Sequence, residues 1–389
     1  MADGVYVAGV YEHPTREAPD RSTTQLHAEV ARGALDDAGL SKADVDGYLT
    51  AGVPEYTFAL QPLTMADYLG LDVSYVESTD VGGSSYLSHV GHAASAIRDG
   101  RCEVALITMA GRPRSRAQAT GSGVRELRTM QDSFERIYGS TPVSQYALTA
   151  RRHMYEFGTT REQLAAIRVA ASRHAQHNGH AMYRDPVTVD DVLDSPPVAE
   201  PLHLLDCCVI SDGGAAAVVV SEDVRDRLDR ECVRVLGHGE AVGHHDAGRA
   251  ELTATAARDS GARAFAEAGL GPDDVDYASI YDSFTITVLL ALEDLGFCEK
   301  GAGGEFVASG SLEAPDGTLP FNTDGGSLCS NHPGNRGGMT KIVEAVRQLR
   351  GEAAPAVQVD ADVALAHGTG GVLGTRHGAS TLLLGGVSS

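Results

Sequence analysis

Apolar residues recur at helical or strand spacing through most of the chain. Between Thr23 and Ala38 they fall three and four positions apart, which predicts an amphipathic helix ended by Gly39. Met339 to Leu349 has the same spacing and predicts a second such helix. Short β-branched or apolar runs predict strands at Val5 to Val10, Val45 to Ala51, Val73 to Thr79 and Glu103 to Met109. This alternation of strand and helix is typical of an α/β fold.

The alternation stops between about residues 111 and 201. This stretch predicts helices, including Ser144 to Phe157 and Thr160 to His177, followed by a proline-rich exit. We interpret it as a cap inserted over the α/β core. Buried apolar strand character returns at Ala215 to Val220, after the run Ser211-Asp212-Gly213-Gly214.

The chain resembles itself when it is shifted by 230 residues. Ala34 to Asp46 then lies over Ala264 to Asp276, and seven of these 13 positions are identical. Each copy follows a short strand and precedes a Gly-rich turn, a helix and another strand. We therefore predict a duplicated α/β body, with one half at 1–228 and the other at 229–389. Loops at equivalent strand ends are expected to meet at a site between the halves.

The charge of the chain excludes several classes of partner. The net charge is -22 and the pI is about 5.0, so the surface repels nucleic acid and anionic lipid, and we expect neither as a partner. No apolar stretch approaches the length that spans a bilayer, and the first residues lack a basic, apolar leader. We expect a soluble cytoplasmic protein.

Neither the cysteines nor the histidines form a pattern typical of a metal site. The six cysteines are scattered and include no C-x-x-C pair. His174, His177 and His180 fall at steps of three, but Gly179 is expected to end their helix before the third. Solvated or substrate-edge histidines are the favoured interpretation, and we expect no metal.

The most distinctive stretch runs from Gly325 to Gly338 and holds His332 between Asn331 and Pro333. Proline disfavours helical backbone at the residue before it, so His332 is expected in an extended turn ahead of a helix. Free N–H groups and the dipole at a helix N-terminus favour negative charge, which suits a developing oxyanion. The alternative is a structural turn in which the histidine acts as a cap.

Three further loops at strand ends carry groups that suit chemistry. Tyr281 and His367 can transfer protons, and backbone amides at Gly83 and Ser84 can donate to an oxyanion. Taken singly, each has a structural alternative as a core tyrosine, a turn histidine or a packing glycine. Their recurrence at the strand ends of a duplicated fold favours a catalytic site. The candidates are Gly83, Ser84, Tyr281, Asp282, Asn331, His332, His367, Gly368 and Gly370.

The order of these loops resembles the thiolase family, and specifically the sterol-carrier-protein-type thiolases, over nearly the whole chain. Tyr281-Asp282-Ser283-Phe284 lies over the His-Asp-Cys-Phe motif of that subgroup, and Asn331-His332-Pro333 lies over its Gly-His-Pro motif. His367-Gly368-Thr369-Gly370 resembles its C-terminal Gly-rich loop, and Ser211-Asp212-Gly213-Gly214 the signature closing its first half. The resemblance implies two βαβαβαββ halves in five α/β/α/β/α layers with an inserted cap.

The departures from the family pattern concern its two cysteines. Thiolases form an acyl-enzyme on a cysteine at a helix start, and that position is Gly83 here. The acid/base cysteine would fall at Ser283 or His367, so neither place has a thiol. Cysteine-lacking thiolase-like aldolases of steroid side-chain catabolism resemble this chain. The resemblance to these aldolases implies retro-aldol cleavage of a β-hydroxyacyl-CoA, with the CoA thioester as substrate and no covalently bound cofactor.

By the same resemblance His332 belongs to the oxyanion hole and Tyr281 transfers a proton, with His367 as the alternative base and Asp282 orienting a neighbour. Gly83, Ser84, Asn331, Gly368 and Gly370 would bind substrate. The implied partners are a second copy, paired through the edge strand at Val73 to Thr79, and a small protein of oligonucleotide/oligosaccharide-binding fold with a zinc ribbon. A thiolase-type acyltransferase and a non-catalytic acyl-CoA-binding scaffold remain the alternative functions.

Overall fold

The computed structural model describes residues 4–52, 60–117, 136–243, 251–334, 337–373 and 377–386. The strands are β1 (Val5–Glu12), β2 (Gly47–Leu49), β3 (Tyr75–Glu77), β4 (Val104–Gly111), β5 (Pro197–Ala199), β6 (Leu202–His203), β7 (Gly213–Ser221), β8 (Val233–Gly243), β9 (Tyr277–Ile280), β10 (Val363–Gly371) and β11 (His377–Gly385). The helices are α1 (Thr23–Ala38), α2 (Gln61–Leu69), α3 (Ser85–Arg98), α4 (Pro142–Phe157), α5 (Arg161–Ala175), α6 (Val189–Asp194), α7 (Glu222–Arg225), α8 (Ala257–Ala268), α9 (Thr285–Asp294), α10 (Gly303–Ala308), α11 (Gly326–Cys329) and α12 (Met339–Leu349).

Local sequence signals explain why α1 has the predicted bounds. Ser22 Oγ accepts from the N–H of Gln25, and the Gln25 side chain accepts from the N–H of Ser22, which is a capping box. Gly39 ends the helix in the left-handed conformation, with φ of 69°. The predicted bounds of α12 are also confirmed.

The strand order shows the duplication that the repeat predicts. Nine strands follow the order β3-β2-β4-β7-β1-β8-β11-β10-β9. Among the described residues, β1 of the first half pairs with β8 of the second at two positions, Tyr6 with Arg234 and Val7 with Val233. Outward from this junction the first half continues with β7, β4 and β2, and the second half with β11, β10 and β9. The strands of the first set follow one another in the same order, along the chain and in the sheet, as their counterparts in the second. The predicted duplicated fold is therefore confirmed.

The second half departs from the predicted pattern at its third strand. Among its described residues, the place of β3 is taken by a single parallel bridge between Ala278 and Phe321. The first half has the predicted strand and helix order, but β2 and β3 are shorter than predicted. The predicted strand begins at Val45, whereas β2 begins at Gly47. Asp46 lies outside the strand, and its carboxylate accepts the N–H groups of Glu103 and Val104.

Helices α3 and α12 form the middle layer, since each contacts strands of both halves. Their apolar side chains share one buried cluster with strands of both halves, including Leu87, Val90, Ile342 and Val346. The outer layers are formed by α1, which packs on β1, β4 and β7, and by α8, which packs on β8 and β11. This order gives the predicted succession of helix, sheet, helix, sheet and helix.

The inserted stretch, whose residues 118–135 lie outside the described part of the chain, packs against the second half through its helices. Helices α4 and α5 contact α9, and α5 also contacts α10 and α11, which precedes His332. Helix α5 ends at Ala175, two residues before the predicted end, which places His177 and His180 outside the helix and exposed. His174 is buried, and its Nε2 accepts from the N–H of Ala314. These three histidines therefore do not share one helical face.

No helix in the described ranges is long and apolar enough to cross a membrane. Among the same residues, no group of three or more His, Cys, Asp or Glu side chains is placed to hold a metal ion.

Candidate active site

Four loops from both halves converge between β9, β10 and α12. Gly83 and Ser84 lie in a short 3₁₀ turn before α3. This turn packs directly on β10. A Cβ added to Gly370 would lie 1.5 Å from the carbonyl oxygen of Val81, and one added to Gly368 would lie 3.0 Å from Cα of Ser84. The structure thus brings together four predicted substrate-binding residues, Gly83, Ser84, Gly368 and Gly370. The close backbone packing explains why Gly368 and Gly370 carry no side chain.

The centre of the site is the pair Tyr281 and His332. The Tyr281 hydroxyl lies 2.6 Å from His332 Nε2, and the side chains belong to residues that are only 4% and 8% exposed. The N–H of Gly337, just ahead of α12, donates to the same Tyr281 oxygen. A Cβ at Gly337 would lie 3.0 Å from Tyr281 Cε2 and 3.3 Å from His332 Cδ2, so both rings pack on this glycine.

Burial keeps both members of the pair uncharged at neutral pH. It raises the pKa of Tyr281 well above its usual value, and the nearby Cys208, Tyr146 and Asp282 add to this, while the Gly337 N–H opposes it. Burial lowers the pKa of His332 to about 4, against the opposing effect of Asp282. The pair is thus a neutral phenol and a neutral imidazole in hydrogen-bond contact.

Asp282 holds the backbone of α11, which leads into the His332 loop. Its Oδ1 accepts from the N–H of Ser327 at 2.7 Å, and its Oδ2 accepts from the N–H of Leu328 at 3.0 Å. Lys341 of α12 lies 3.3 Å from Oδ1, and both charged side chains are fully buried. Asp282 is therefore saturated with structural partners, in keeping with a residue that orients its neighbours.

Asn331 likewise uses both polar atoms of its side chain within the protein. Oδ1 accepts from Ser211 Oγ at 2.7 Å, and Nδ2 donates to Glu12 Oε1 at 2.8 Å. The predicted substrate-binding role of this side chain therefore has to compete with these two bonds.

His367 lies on β10, but its ring is not joined to the pair. Its Nδ1 lies 2.9 Å from Thr381 Oγ1, which in turn bonds Ser260 of the outer helix α8. Its Nε2 is buried without a hydrogen-bond partner in the part of the chain that the structure describes. Burial lowers the pKa of the ring to about 3. Only the backbone oxygen of His367 reaches the site, where it accepts from the N–H of Tyr281 at 2.8 Å.

Several residues near the pair were not identified from the sequence. Tyr146 of the cap stacks on Phe284 with ring centroids 4.4 Å apart, and Ser283 lies within hydrogen-bonding reach of its hydroxyl. Cys208 lies close enough that its thiolate would raise the pKa of both Tyr281 and Tyr146, but burial raises its own pKa. Glu12 and Ser211 contact the His332 loop from the first half. Ser211 and Ser283 lie in motifs that the sequence shows, but no local sequence pattern marks Glu12, Tyr146 or Cys208, because their partners lie far along the chain.

Models of a known family match both halves of the chain. The description "Thiolase, N-terminal domain" matches residues 15–223, and "Thiolase C-terminal domain-like" matches residues 239–385. The chain therefore belongs to the thiolase superfamily, as the order of its loops and motifs predicts.

Similar proteins divide between two reactions. An acetyl-CoA acetyltransferase of Methanothermobacter thermautotrophicus is 35% identical over 386 residues, 95% of this chain and 97% of the relative. A 17-hydroxy-3-oxo-4-pregnene-20-carboxyl-CoA lyase of Mycobacterium tuberculosis is 36% identical over 367 residues, 90% of this chain and 92% of the relative. The solved structure of an Ltp2-ChsH2(DUF35) aldolase has a TM-score of 0.86 and 32% identity, covering 100% of this chain and 99% of that chain. The chain thus has the framework of thiolase-family enzymes that act on CoA thioesters.

Proposed function

We propose that this protein cleaves the Cα–Cβ bond of a β-hydroxyacyl-CoA by a retro-aldol reaction, in the catabolism of a lipid or steroid side chain. The observation that carries the proposal is the contact between Gly83 and Tyr281. A Cβ at Gly83 would lie 2.3 Å from the carbonyl oxygen of Thr369 and 2.9 Å from Tyr281 Cζ. The tyrosine ring thus fills the space that a nucleophilic side chain at this position would need. The buried Tyr281–His332 pair, which we propose for proton transfer, lies directly beside Gly83.

The Tyr281–His332 pair suits the proton transfers of this reaction. In the proposed arrangement the phenol proton points at Nε2 of His332, 2.6 Å away, and the Gly337 N–H stabilises the Tyr281 oxygen. In the proposed step, the β-hydroxyl proton moves to the Tyr281 oxygen while the phenol proton moves to His332. The β-carbon becomes a carbonyl, and the electron pair of the broken bond passes to the thioester as an enolate.

The enolate needs stabilisation and then one proton. His332 gains a positive charge as it accepts the phenol proton, so it opposes the enolate charge, which is the oxyanion role expected for it. The backbone amides of Gly83 and Ser84 are the other proposed donors. Return of the proton through Tyr281 to Cα regenerates the neutral pair and releases a shorter acyl-CoA. The hydroxyl proton of the substrate thus ends on Cα of the product, and the reaction balances without a cofactor.

His367 is the less favoured base in this proposal. Its ring bonds Thr381 on the side of β10 that faces α8, whereas the Tyr281 hydroxyl faces His332. Asp282 would act by holding α11, and with it the His332 loop.

Acyl transfer is the second candidate function, because one relative with 35% identity across 95% of the chain is an acetyl-CoA acetyltransferase. A non-catalytic acyl-CoA-binding subunit is the third. We also propose assembly as a homodimer, and with a small DUF35-type partner of oligonucleotide/oligosaccharide-binding fold with a zinc ribbon. The similar aldolase supports the partner, since its name joins Ltp2 to ChsH2(DUF35).

A β-hydroxyacyl-CoA with two alkyl groups on its β-carbon separates these functions. Such a tertiary alcohol cannot be oxidised to the β-ketoacyl-CoA that thiolysis requires. A lyase will release a ketone and a shorter acyl-CoA from it without free CoA. An acyltransferase will leave it intact and will cleave a β-ketoacyl-CoA only when free CoA is added. Binding of both substrates with turnover of neither would identify a scaffold.

A further inference from the structure

Glu12 is a buried carboxylate of the first half that reaches the His332 loop of the second. It ends β1, and its side chain is 6% exposed. Oε1 accepts from Arg16 Nη2 and from Asn331 Nδ2, each at 2.8 Å, and Oε2 accepts from Arg347 Nη1 of α12 at 3.4 Å. Burial alone would raise its pKa, but Arg16, Arg347 and Asn331 lower it below the usual value. Glu12 is therefore a charged group at neutral pH, and it acts only as an acceptor.

The charge of Glu12 fixes the direction of a chain of hydrogen bonds that ends at His332. Because a carboxylate only accepts, the Asn331 side chain must turn its NH₂ toward Glu12 and its oxygen toward Ser211. Ser211 Oγ must then donate to that oxygen, at 2.7 Å, and its lone pair accepts the N–H of His332 at 2.9 Å. One charge thereby sets the orientation of an amide, a hydroxyl and the backbone of His332.

Arg16 ties the same cluster to the residue two positions before His332. Its Nε donates to the carbonyl oxygen of Ser330 at 2.9 Å, and its Nη2 lies 3.3 Å from Ser330 Oγ. The loop is thus held from the end of β1 and from the turn before β7, while Arg347 of α12 holds Glu12 itself. Gly213 lies beside this cluster, and its φ of +145° is a backbone conformation in which a side chain would be strained.

We propose that Glu12 is a positioning residue for His332, and through it for Tyr281, acting by way of Asn331 and Ser211. Its effect on catalysis rests on the proposed function, whereas its effect on the His332 backbone does not. The neutral, isosteric change Glu12→Gln keeps the volume but offers Asn331 either an oxygen or an NH₂. The direction of the chain is then no longer imposed.

Hydrogen–deuterium exchange of the native protein tests this without an activity assay. In Glu12→Gln, the N–H groups of peptides covering residues 327–334 should exchange about 10-fold faster or more, because the His332 N–H loses an oriented acceptor. Ser211→Ala, which removes that acceptor, should have the same effect and serves as a second variant if Glu12→Gln does not fold. The matched control is Glu293→Gln. Glu293 is another buried carboxylate, and it accepts from the N–H groups of Gly301 and Gly303 and from His153 of the cap. It should leave exchange at 327–334 unchanged.

Kinetics supply the second readout. Glu12→Gln should lower kcat by about 10- to 100-fold and leave KM within about 2-fold, because a displaced catalytic group costs rate more than binding. Glu12→Asp should recover part of the loss, and Glu293→Gln should retain full kcat per folded molecule. Unchanged exchange at 327–334 in a folded Glu12→Gln would overturn the inference, and if that variant does not fold, unchanged exchange in Ser211→Ala would overturn it. If the wild-type protein shows no lyase activity, the proposed function fails, and the exchange result alone decides the role of Glu12.

Discussion

The Tyr281 hydroxyl lies 2.6 Å from Nε2 of His332, although the two residues are 51 positions apart and occupy separate loops. Burial lowers the pKa of the imidazole to about 4 and raises the pKa of the phenol, so the contact joins two neutral groups. The ring of the same tyrosine closes the space beside Gly83. One side chain thus fills the space beside Gly83 and, in the proposed function, also supplies the hydroxyl for proton transfer.

The pair should behave as one catalytic unit. Tyr281→Phe keeps the ring and its packing, and kcat should fall by about 100- to 10,000-fold, the range for a positioned acid or base. His332→Ala should lower kcat by about 100- to 1000-fold. Because both act on one bond-breaking step, the double variant should lose less than the product of the single losses in a steady-state assay. Full activity of Tyr281→Phe would move the base to His367.

Gly83 should tolerate no side chain. Gly83→Ala is expected to cost at least about 1–3 kcal/mol in urea unfolding, because the new Cβ meets a backbone oxygen and the Tyr281 ring. Gly179→Ala is the matched control, since an added Cβ there has no neighbour within 4 Å, and it should change stability by less than about 0.5 kcal/mol. In addition, Gly83→Cys should form no acyl-enzyme detectable by intact mass. A stable, acylated Gly83→Cys would show that the Tyr281 ring does not close this position.

Alkylation of thiols should leave turnover intact. Burial raises the pKa of Cys329, three residues before His332, to about 12, and it raises the pKa of Cys208 beside Tyr281 as well. Both are therefore protonated at neutral pH and react slowly. Iodoacetamide should cause no stoichiometric loss of activity, and Cys208→Ala should retain turnover. Loss of activity that tracks one alkylated cysteine and is prevented by substrate would favour the acyltransferase.

Stability should fall as the pH drops from about 6.5 toward 4. Burial lowers the pKa of six histidines, to about 4 for His89, His174, His238, His332 and His377 and to about 3 for His367. The unfolded chain binds protons on these groups near pH 6.5 and the folded chain does not. The folded state therefore loses up to about 1.4 kcal/mol per pH unit for each such proton.

One histidine has the opposite sign. Hydrogen bonds to Glu240 and Glu77 raise the pKa of His92 to about 10, so its contribution is complete below about pH 6.5 and is lost as the pH rises toward 10. Urea unfolding across this range should show a maximum near neutral pH. Replacing His377, whose ring nitrogens have no hydrogen-bond partner among the described residues, by Gln should reduce the slope on the acid side. A flat profile between pH 7 and 5 would contradict the burial of neutral histidines.

The edge strand β3 should mediate a dimer. Tyr75–Glu77 ends the strand order of the first half, and an unpaired edge is a template for another chain. Light scattering at micromolar concentration should report at least twice the mass of 40.7 kDa. A monomer across that range would exclude assembly through this edge.

The fold was largely predictable because its signals are local or repeated. The helical spacing and caps of α1 define it without tertiary contacts, and the repeat around Ala34 and Ala264 reveals the two halves. The third strand of the second half was not predictable. Its loss depends on how the chain at Phe321 packs beside Ala278, which no local pattern records.

The candidate site was predictable only where motifs carry it. Tyr281 and His332 stand in recognisable loops, but Glu12 bonds a residue 319 positions away. The placement of His367 follows from strand geometry, because adjacent strand residues face opposite sides of a sheet and Gly368 packs on Ser84. Alternation therefore directs the His367 ring to the other side, where it bonds Thr381.

The most direct test of the central claim compares the wild-type protein with Tyr281→Phe on a tertiary β-hydroxyacyl-CoA, with free CoA removed. Mass spectrometry of quenched samples follows the ketone and the shorter acyl-CoA. The account predicts that wild type forms both products in equal amounts without an acylated protein, and that Tyr281→Phe forms them at least about 100-fold more slowly. Cleavage of a β-ketoacyl-CoA that starts only when free CoA is added, together with an acylated protein, would contradict it.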